Sequence, residues 1–272
     1  RMSTPGYRIV HVIPQLRFGA GRYVVDTAIE QHRRIPNSVA VIVSEAANGA
    51  WTSSPALVRE LTDQGIAVHT CGDFFQRQAS PLRDAAERLR QTIGSWRKDA
   101  VVHAHTAPAA VMGRWAGAPR IIATCHGWGP DRPAAFDLQD AIAFSLCDAV
   151  TSPSRAWADI LKARTGVAHV GTVPCGLDLC RYPHIERTPR EDEPRRVVCI
   201  GELTARKGHD VLLEAMKIVW QRLPNAELHF IGDGDAREAT RALAASIDPT
   251  GTRVVFHGTV DAPYALLDRF DV

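Results

Sequence analysis

The sequence predicts an α/β protein of two doubly wound domains with parallel sheets, the second incomplete. Three observations carry this. In the first part of the chain, short apolar runs alternate with longer polar or amphipathic stretches, and RIVHVI, VAVIV, IAVHT, AVVHAH, RIIATC, AVTSP and AHVGTVP each read as a strand. Next, ERTPREDEPRR (186–196) is charged, holds two prolines and lacks apolar periodicity, which reads as an interdomain linker. After it the strand–helix pattern restarts, and residues 195–272 leave room for only about three units of roughly 25–30 residues. The domains are accordingly placed at 1–185 and 196–272, with 186–195 between them.

Each element follows in order. The first strand leads to Phe18-Gly19-Ala20-Gly21-Arg22, which opens a helix. Glycines there let a ligand approach the backbone, and a plain strand-to-helix turn is the alternative. Gly19 and Gly21 do not complete GxGxxG, because Val24 stands at the third position, so the dinucleotide fingerprint is weak. Residues 83–98 form a helix with Leu82, Ala86, Leu89, Ile93 and Trp96 on one face. Its Arg83, Arg88, Arg90, Arg97 and Lys98 allow a peripheral membrane contact, but Asp84, Glu87 and Asp99 dilute the charge and favour an ordinary surface helix. The strand AVVHAH puts His103 and His105 on one face. Two metal ligands are geometrically allowed there, yet no third is evident nearby, and a structural pair is the plainer reading. The strand IIATC ends at His126. A histidine at the carboxyl end of a parallel strand faces the ligand crevice of such folds, although a lone histidine is more often structural.

In the second domain a strand at 197–200 runs into Gly201, Glu202 and a basic loop with Arg206 and Lys207. A helix follows, with Leu212, Leu213, Met216, Val219 and Trp220 at helical spacing. The strand at 228–231 ends in Gly232 and Gly234. Backbone N–H groups and a helix N-terminus at a sheet's carboxyl edge bind anions, and Arg206 and Lys207 beside them suit a diphosphate. PYALLDRF reads as a helix, and Asp271 and Val272 as the start of another strand.

Composition bounds the function. Apolar residues make up 45% and charged residues 23% of the 272, which excludes a disordered chain. The net charge of +2 is too small to argue for nucleic acid. Six cysteines are scattered without a CxxC pair, as in reduced cytoplasmic proteins. No apolar run reaches the ~18 residues that span a bilayer, and the start lacks a signal-peptide hydrophobic region. Both ends read as cut: Arg1 precedes Met2, and a strand left hanging at Val272 would expose an unpaired edge.

CIGELTARKGHDVLLEAM followed by AELHFIGDGDA resembles the second domain of a family 4 glycosyltransferase of GT-B architecture, where a G-R-x-x-x-x-K-G loop and a G-x-G turn recur. HVIPQLRFGAGRYVVDTA, VVHAHTAPAAVMG, IIATCHGW, AVTSPSRAWADIL, VPCGLDLCRY and FHGTV resemble further segments of that family in its order. The resemblance implies two Rossmann-like domains, the first on the acceptor side and the second binding a nucleotide sugar. It implies sugar transfer from a nucleoside diphosphate to an acceptor hydroxyl of a glycan, glycolipid or small molecule. Retention of configuration is expected, with no cofactor and no catalytic metal. His126 becomes the residue that contacts the donor sugar near the reacting carbon. Lys207 and Arg206 become ligands of the donor diphosphate, Gly19 and Gly21 of that diphosphate or of the acceptor, while Gly201, Glu202, Gly232, Gly234 and Val260 line the nucleotide crevice.

The sequence departs from the family at Glu202, where arginine is usual. A carboxylate beside a diphosphate is unfavourable unless paired, and Arg206 either supplies the missing cation or pairs with Glu202. Cys175 stands in place of asparagine, while Asp178 keeps the family's aspartate. The family's E-x7-E motif, which grips the donor ribose, would lie past Val272, and a chain ending there is expected not to bind a sugar nucleotide productively. A sugar-nucleotide 2-epimerase of the same fold, or a degenerate non-catalytic relative, is the alternative. The expected location is cytoplasmic, with the inner membrane face open because some relatives act on lipid-linked acceptors.

Overall fold

The computed structural model describes residues 7–44, 52–74, 78–96, 98–128, 132–176, 178–181, 193–260 and 262–272. The chain divides into two compact units, Arg1–Leu177 and Asp178–Val272. Most of the stretch expected as a linker, 186–192, lies outside the described residues.

The first unit alternates strands and helices: β1 (Arg8–Val12), α1 (Phe18–Arg34), β2 (Val39–Ser44), α2 (Pro55–Asp63), β3 (Ala67–Cys71), α3 (Ala79–Ile93), β4 (Ala100–Ala104), α4 (Ala107–Trp115), β5 (Arg120–Thr124), α5 (Ala135–Ser145), β6 (Ala149–Ser152), α6 (Arg155–Thr165) and β7 (Gly171–Thr172). The strands form one parallel sheet in the order β3-β2-β1-β4-β5-β6-β7. Its faces bury different cores. Val24, Val25 and Ala28 of α1 and Leu61 of α2 pack on Val39, Val41 and Val43. Leu82, Leu89 and Ile93 of α3 and Met112 of α4 pack with Val10, Val12 and Val102 on the other side. Burial on both faces explains why these strands read as near-continuous apolar runs.

The second unit holds β8 (Arg196–Ile200), α7 (His209–Arg222), β9 (Glu227–Ile231), α8 (Arg237–Ile247) and β10 (Val254–Gly258), with a parallel sheet in the order β10-β9-β8. Leu213, Met216 and Trp220 of α7 and Ala244 of α8 share one core with Leu228 and Phe230.

Two segments differ from expectation and a third agrees with it. Helix α3 stops at Ile93, and Gly94–Trp96 is a single 3₁₀ turn, so Lys98 lies beyond the helix. Pro263–Arg269 coils as a 3₁₀ helix instead of an α-helix, since nucleation is costly and short pieces settle for i→i+3 bonds. Asp271 and Val272 do lie strand-like along β8: Val198 N–H donates to the Val272 carbonyl at 2.8 Å, and Asp271 N–H to that of Arg196 at 2.8 Å.

Candidate functional site

Strand order reverses between β1 and β4, which leave the sheet's midline in opposite directions. Open α/β sheets bind ligands at the carboxyl ends of strands at such a switch point. A cavity of about 270 Å³ lies there. Ile13, Pro14 and Gln15 follow β1, His105 and Thr106 follow β4, and Cys125 and His126 follow β5, and all line it. Arg17, Phe18 and Ala20, at the start of α1, complete that side. Helix α1 has no side-chain cap, so its first N–H groups remain available to a ligand.

Phe18 and Ala20 of the glycine loop and His126, distant in sequence, are thus brought to one pocket, which neither Gly19 nor Gly21 itself lines. The two glycines differ. A Cβ on Gly21 would lie 2.7 Å from the Leu16 carbonyl carbon, so close helix-to-loop packing accounts for this glycine. At Gly19 a Cβ would meet nothing within 4 Å. Arg22 is held at 2.6 Å by both Asp26 and Glu60.

Behind His126 lies a run of imidazoles that the sequence did not reveal. Gln31 Oε1 sits 2.7 Å from His11 Nε2, and His11 Nδ1 sits 3.0 Å from His105 Nε2. His105 Nδ1 in turn lies 2.9 Å from His126 Nε2. His103 takes a separate route, 2.7 Å from Thr124 Oγ1, which contacts Thr151 Oγ1 at 2.8 Å. Burial pushes His11 and His126 down to about 4 and holds His103 and His105 well below the usual histidine range, so all four rings are neutral at pH 7. Tyr23 of α1 sets its ring edge-on to His105 and His126, with centroids at 5.9 and 5.1 Å.

His11 is the third imidazole missing from the sequence reading of His103 and His105. Nitrogens of the three lie within 4.8 Å of one another, close enough on distance alone to share a metal. Their polar atoms are instead engaged with each other, with Gln31 and with Thr124. Burial also raises the Cys125 thiol to about 11, which keeps this pocket residue protonated and poorly nucleophilic.

The opposite wall is a buried ion pair. Arg132 and Asp140 meet at 2.7 Å with side chains 7% and 3% exposed, and the guanidinium lies 4.1 Å from the Trp128 ring centroid. Trp128 Nε1 and Gln15 Oε1 are buried without hydrogen-bond partners among the described residues, one donor and one acceptor lining the same pocket. A hydroxyl-rich ligand would satisfy both. Trp128 stands in the HGW segment singled out above, whereas no sequence signal marks Gln15, Arg132 or Asp140.

In the second unit the expected residues also cluster. Gly201 N–H donates to the Ile231 carbonyl at 2.9 Å, and Leu203 N–H to Asp233 at 3.1 Å, so the loop after β8 lies against the Gly232–Gly234 turn. A Cβ on Gly232 would overlap the Gly201 carbonyl oxygen, and one on Gly234 that of Leu203, so both are glycines because two backbones cross. Ala205–Lys207 forms a 3₁₀ turn, and left-handed Gly208 carries the chain into α7. Arg206 and Lys207 are exposed beside the N-terminus of α7. Glu202 is half-buried, and no ion pair joins it to Arg206 among the described residues. Val260, half-buried, follows β10.

The comparisons agree with this layout. The sequence matches the profile of glycosyltransferase family 4 over residues 19–181 and that of glycosyl transferases group 1 over 194–272. It is 31% identical over 183 residues to a GDP-mannose-dependent alpha-(1-6)-phosphatidylinositol monomannoside mannosyltransferase of Mycolicibacterium smegmatis, covering 61% of this chain and 47% of that one. A protein of the same name from Mycobacterium tuberculosis is 29% identical over 203 residues, covering 67% and 52%. The chain therefore spans about half the length of the curated relatives it matches. Among solved structures, a glycosyltransferase from Rickettsia africae superposes with a TM-score of 0.71 at 18% identity, over 97% of this chain and 71% of that one. The two parallel sheets are those of a GT-B protein. On its profile match and fold, the chain belongs to glycosyltransferase family 4.

Proposed function

We propose that the protein transfers a sugar from a nucleoside-diphosphate sugar to an acceptor hydroxyl with retention of configuration. The observation that carries this is the pocket at the switch point of the first unit, where His126 and the uncapped start of α1 meet. His126 hydrogen-bonds the donor sugar near the reacting carbon. Gln15 and Trp128 offer an acceptor and a donor to hydroxyls in the same pocket. In the second unit, Lys207 and Arg206 meet the diphosphate, and the N-terminus of α7 adds its dipole.

In the reaction the bond from the anomeric carbon to the diphosphate breaks and its electron pair leaves with the diphosphate. The acceptor oxygen bonds to the same face of that carbon, and its proton passes to the departing phosphate oxygen. Lys207 stabilises the charge that builds on the leaving group, with no metal taking part in that step. The names of the mannosyltransferase relatives favour GDP-mannose as donor and a glycolipid as acceptor.

The test is donor turnover by the product of the full reading frame, with GDP-mannose, UDP-glucose and ADP-glucose offered to an inositol-glycolipid acceptor. The product's anomeric coupling should match that of the donor. Inversion, or no turnover of any donor by folded protein, would refute the proposal.

A further inference from the structure

Both nitrogens of His11 are engaged, one with Gln31 Oε1 at 2.7 Å and one with His105 Nε2 at 3.0 Å. Both nitrogens of His105 are engaged too, the second with His126 Nε2 at 2.9 Å. A neutral imidazole has one N–H and one lone pair, so a ring bonded through both nitrogens must donate with one and accept with the other. Direction therefore propagates along the row. An amide oxygen only accepts, so His11 Nε2 must donate to Gln31. Then His11 Nδ1 accepts from His105 Nε2–H, and His105 Nδ1 accepts from His126 Nε2–H. Turning one ring alone would set two N–H groups or two lone pairs against each other in a buried site.

We propose that Gln31, His11 and His105 form a hydrogen-bonded relay that fixes the tautomer of His126, placing its proton on Nε2 and leaving Nδ1 as a lone pair for a sugar hydroxyl. This rests on the reading of His126 as the donor-sugar contact. Gln31, His11 and His105 are positioning residues, since they act through His126. The low proton affinity of the buried rings keeps each at a single N–H, which the relay requires. His126 Nδ1 has no hydrogen-bond partner among the described residues, as a ligand-facing nitrogen should.

His103 stands outside the relay. Thr151 Oγ1 donates to the Ala123 carbonyl at 3.2 Å, so Thr124 donates to Thr151 and accepts from His103 Nε2–H. That commitment, and the 3.0 Å contact between His11 and His105, leave the three-histidine cluster better explained by hydrogen bonds than by a metal.

Two-bond ¹H–¹⁵N correlation spectra of the 272-residue chain report histidine tautomers directly, with rings assigned through single His→Gln variants. The expected result is the Nε2–H form at His11, His105 and His126. Gln31→Glu keeps an accepting oxygen and should leave all three unchanged. Gln31→Lys presents only donors to His11 and should invert all three to Nδ1–H, including His126 two rings away. A packing role for Gln31 would not move the His126 tautomer in either variant. Nδ1–H at His126 in the unaltered protein would overturn the proposal, as would an inversion confined to His11. Stoichiometric bound zinc whose removal shifts the three rings would overturn it too. Should Gln31→Lys fail to fold, His11→Phe serves instead: it leaves His105 Nε2 without an acceptor, and His126 should become a tautomer mixture. The spectra need no donor, so correct tautomers in a protein that binds no sugar nucleotide would keep the relay and sink only the transferase reading.

Discussion

Gly19 and Gly21 sit two residues apart in the first turn of α1, either side of the pocket-lining Ala20, and alanine should act on them in opposite ways. A Cβ on Gly21 would stand 2.7 Å from the Leu16 carbonyl carbon and 3.0 Å from its Cα. Carbons pack at about 3.5–4.0 Å, so the start of α1 or the Leu16 backbone must move by roughly an ångström. Such overpacking costs about 1–3 kcal/mol. For a unit of this size each kcal/mol shifts Tm by about 2–4 °C, which predicts a fall of about 2–12 °C for Gly21→Ala. On Gly19 the Cβ meets nothing within 4 Å, and the position is helical. Alanine there removes unfolded-state freedom and should stabilise by about 0.5–1 kcal/mol, or roughly 1–4 °C. If Gly19 is open because a donor group approaches its backbone, Gly19→Ala should also weaken donor binding about tenfold or more. Scanning calorimetry with donor titration reads both effects. A neutral Gly21→Ala or a destabilised Gly19→Ala would refute the packing argument, and unchanged donor affinity in Gly19→Ala would remove its ligand role.

Other consequences follow from the same geometry. His11 is wholly buried and titrates near 4 in the fold against 6.5 when exposed, so the unfolded chain gains protons first as pH falls. The stability this contributes is complete above pH 6.5 and is lost as pH falls towards 4, with about 2 kcal/mol gone by pH 5. Urea midpoints between pH 7.5 and 5 should show the decline, and a flat profile would contradict it. Arg132→Met takes the guanidinium away from the buried Asp140 and should cost about 3–5 kcal/mol, while Arg132→Met with Asp140→Leu should recover much of it. A loss under 1 kcal/mol for the single variant, measured by urea unfolding, would count against the pair. Glu202→Gln should tighten nucleotide binding by calorimetry, because a carboxylate near the diphosphate repels it; weaker binding would show that Glu202 holds a donor hydroxyl instead.

Much of this architecture is legible in the chain. Continuous apolar strands such as VAVIV mark a sheet buried on both faces, and glycine turns mark where the chain leaves it. The periodicity of Leu82, Ala86, Leu89 and Ile93 was enough to place α3 against the core. The sequence reading stopped short where contact crosses between strands. His103 and His105 announce themselves as an HxH pair, but their partner His11 lies on β1, directly opposite His103 in the β1–β4 register. Only the doubly wound strand order, which sets the first strand beside the fourth, brings them together. Gln31 and Tyr23 join from the face of α1, where nothing local distinguishes them. Arg132 and Asp140 look like ordinary surface charges in sequence, and only burial reveals their pairing. The glycines misled in another way: Gly21, Gly232 and Gly234 are required by backbones that cross closely, whatever they do for a ligand.

The most direct test is a calorimetric titration of the full reading-frame product, and of its Lys207→Ala variant, with GDP, UDP and ADP. Lys207 is exposed, so the variant should unfold within about 0.5 kcal/mol of the parent. A charge-assisted contact to the diphosphate contributes about 1.5–3 kcal/mol, so the account predicts that one nucleotide binds and that Lys207→Ala weakens it roughly 10- to 150-fold. Binding of none of the three, or equal binding by parent and variant, would contradict it.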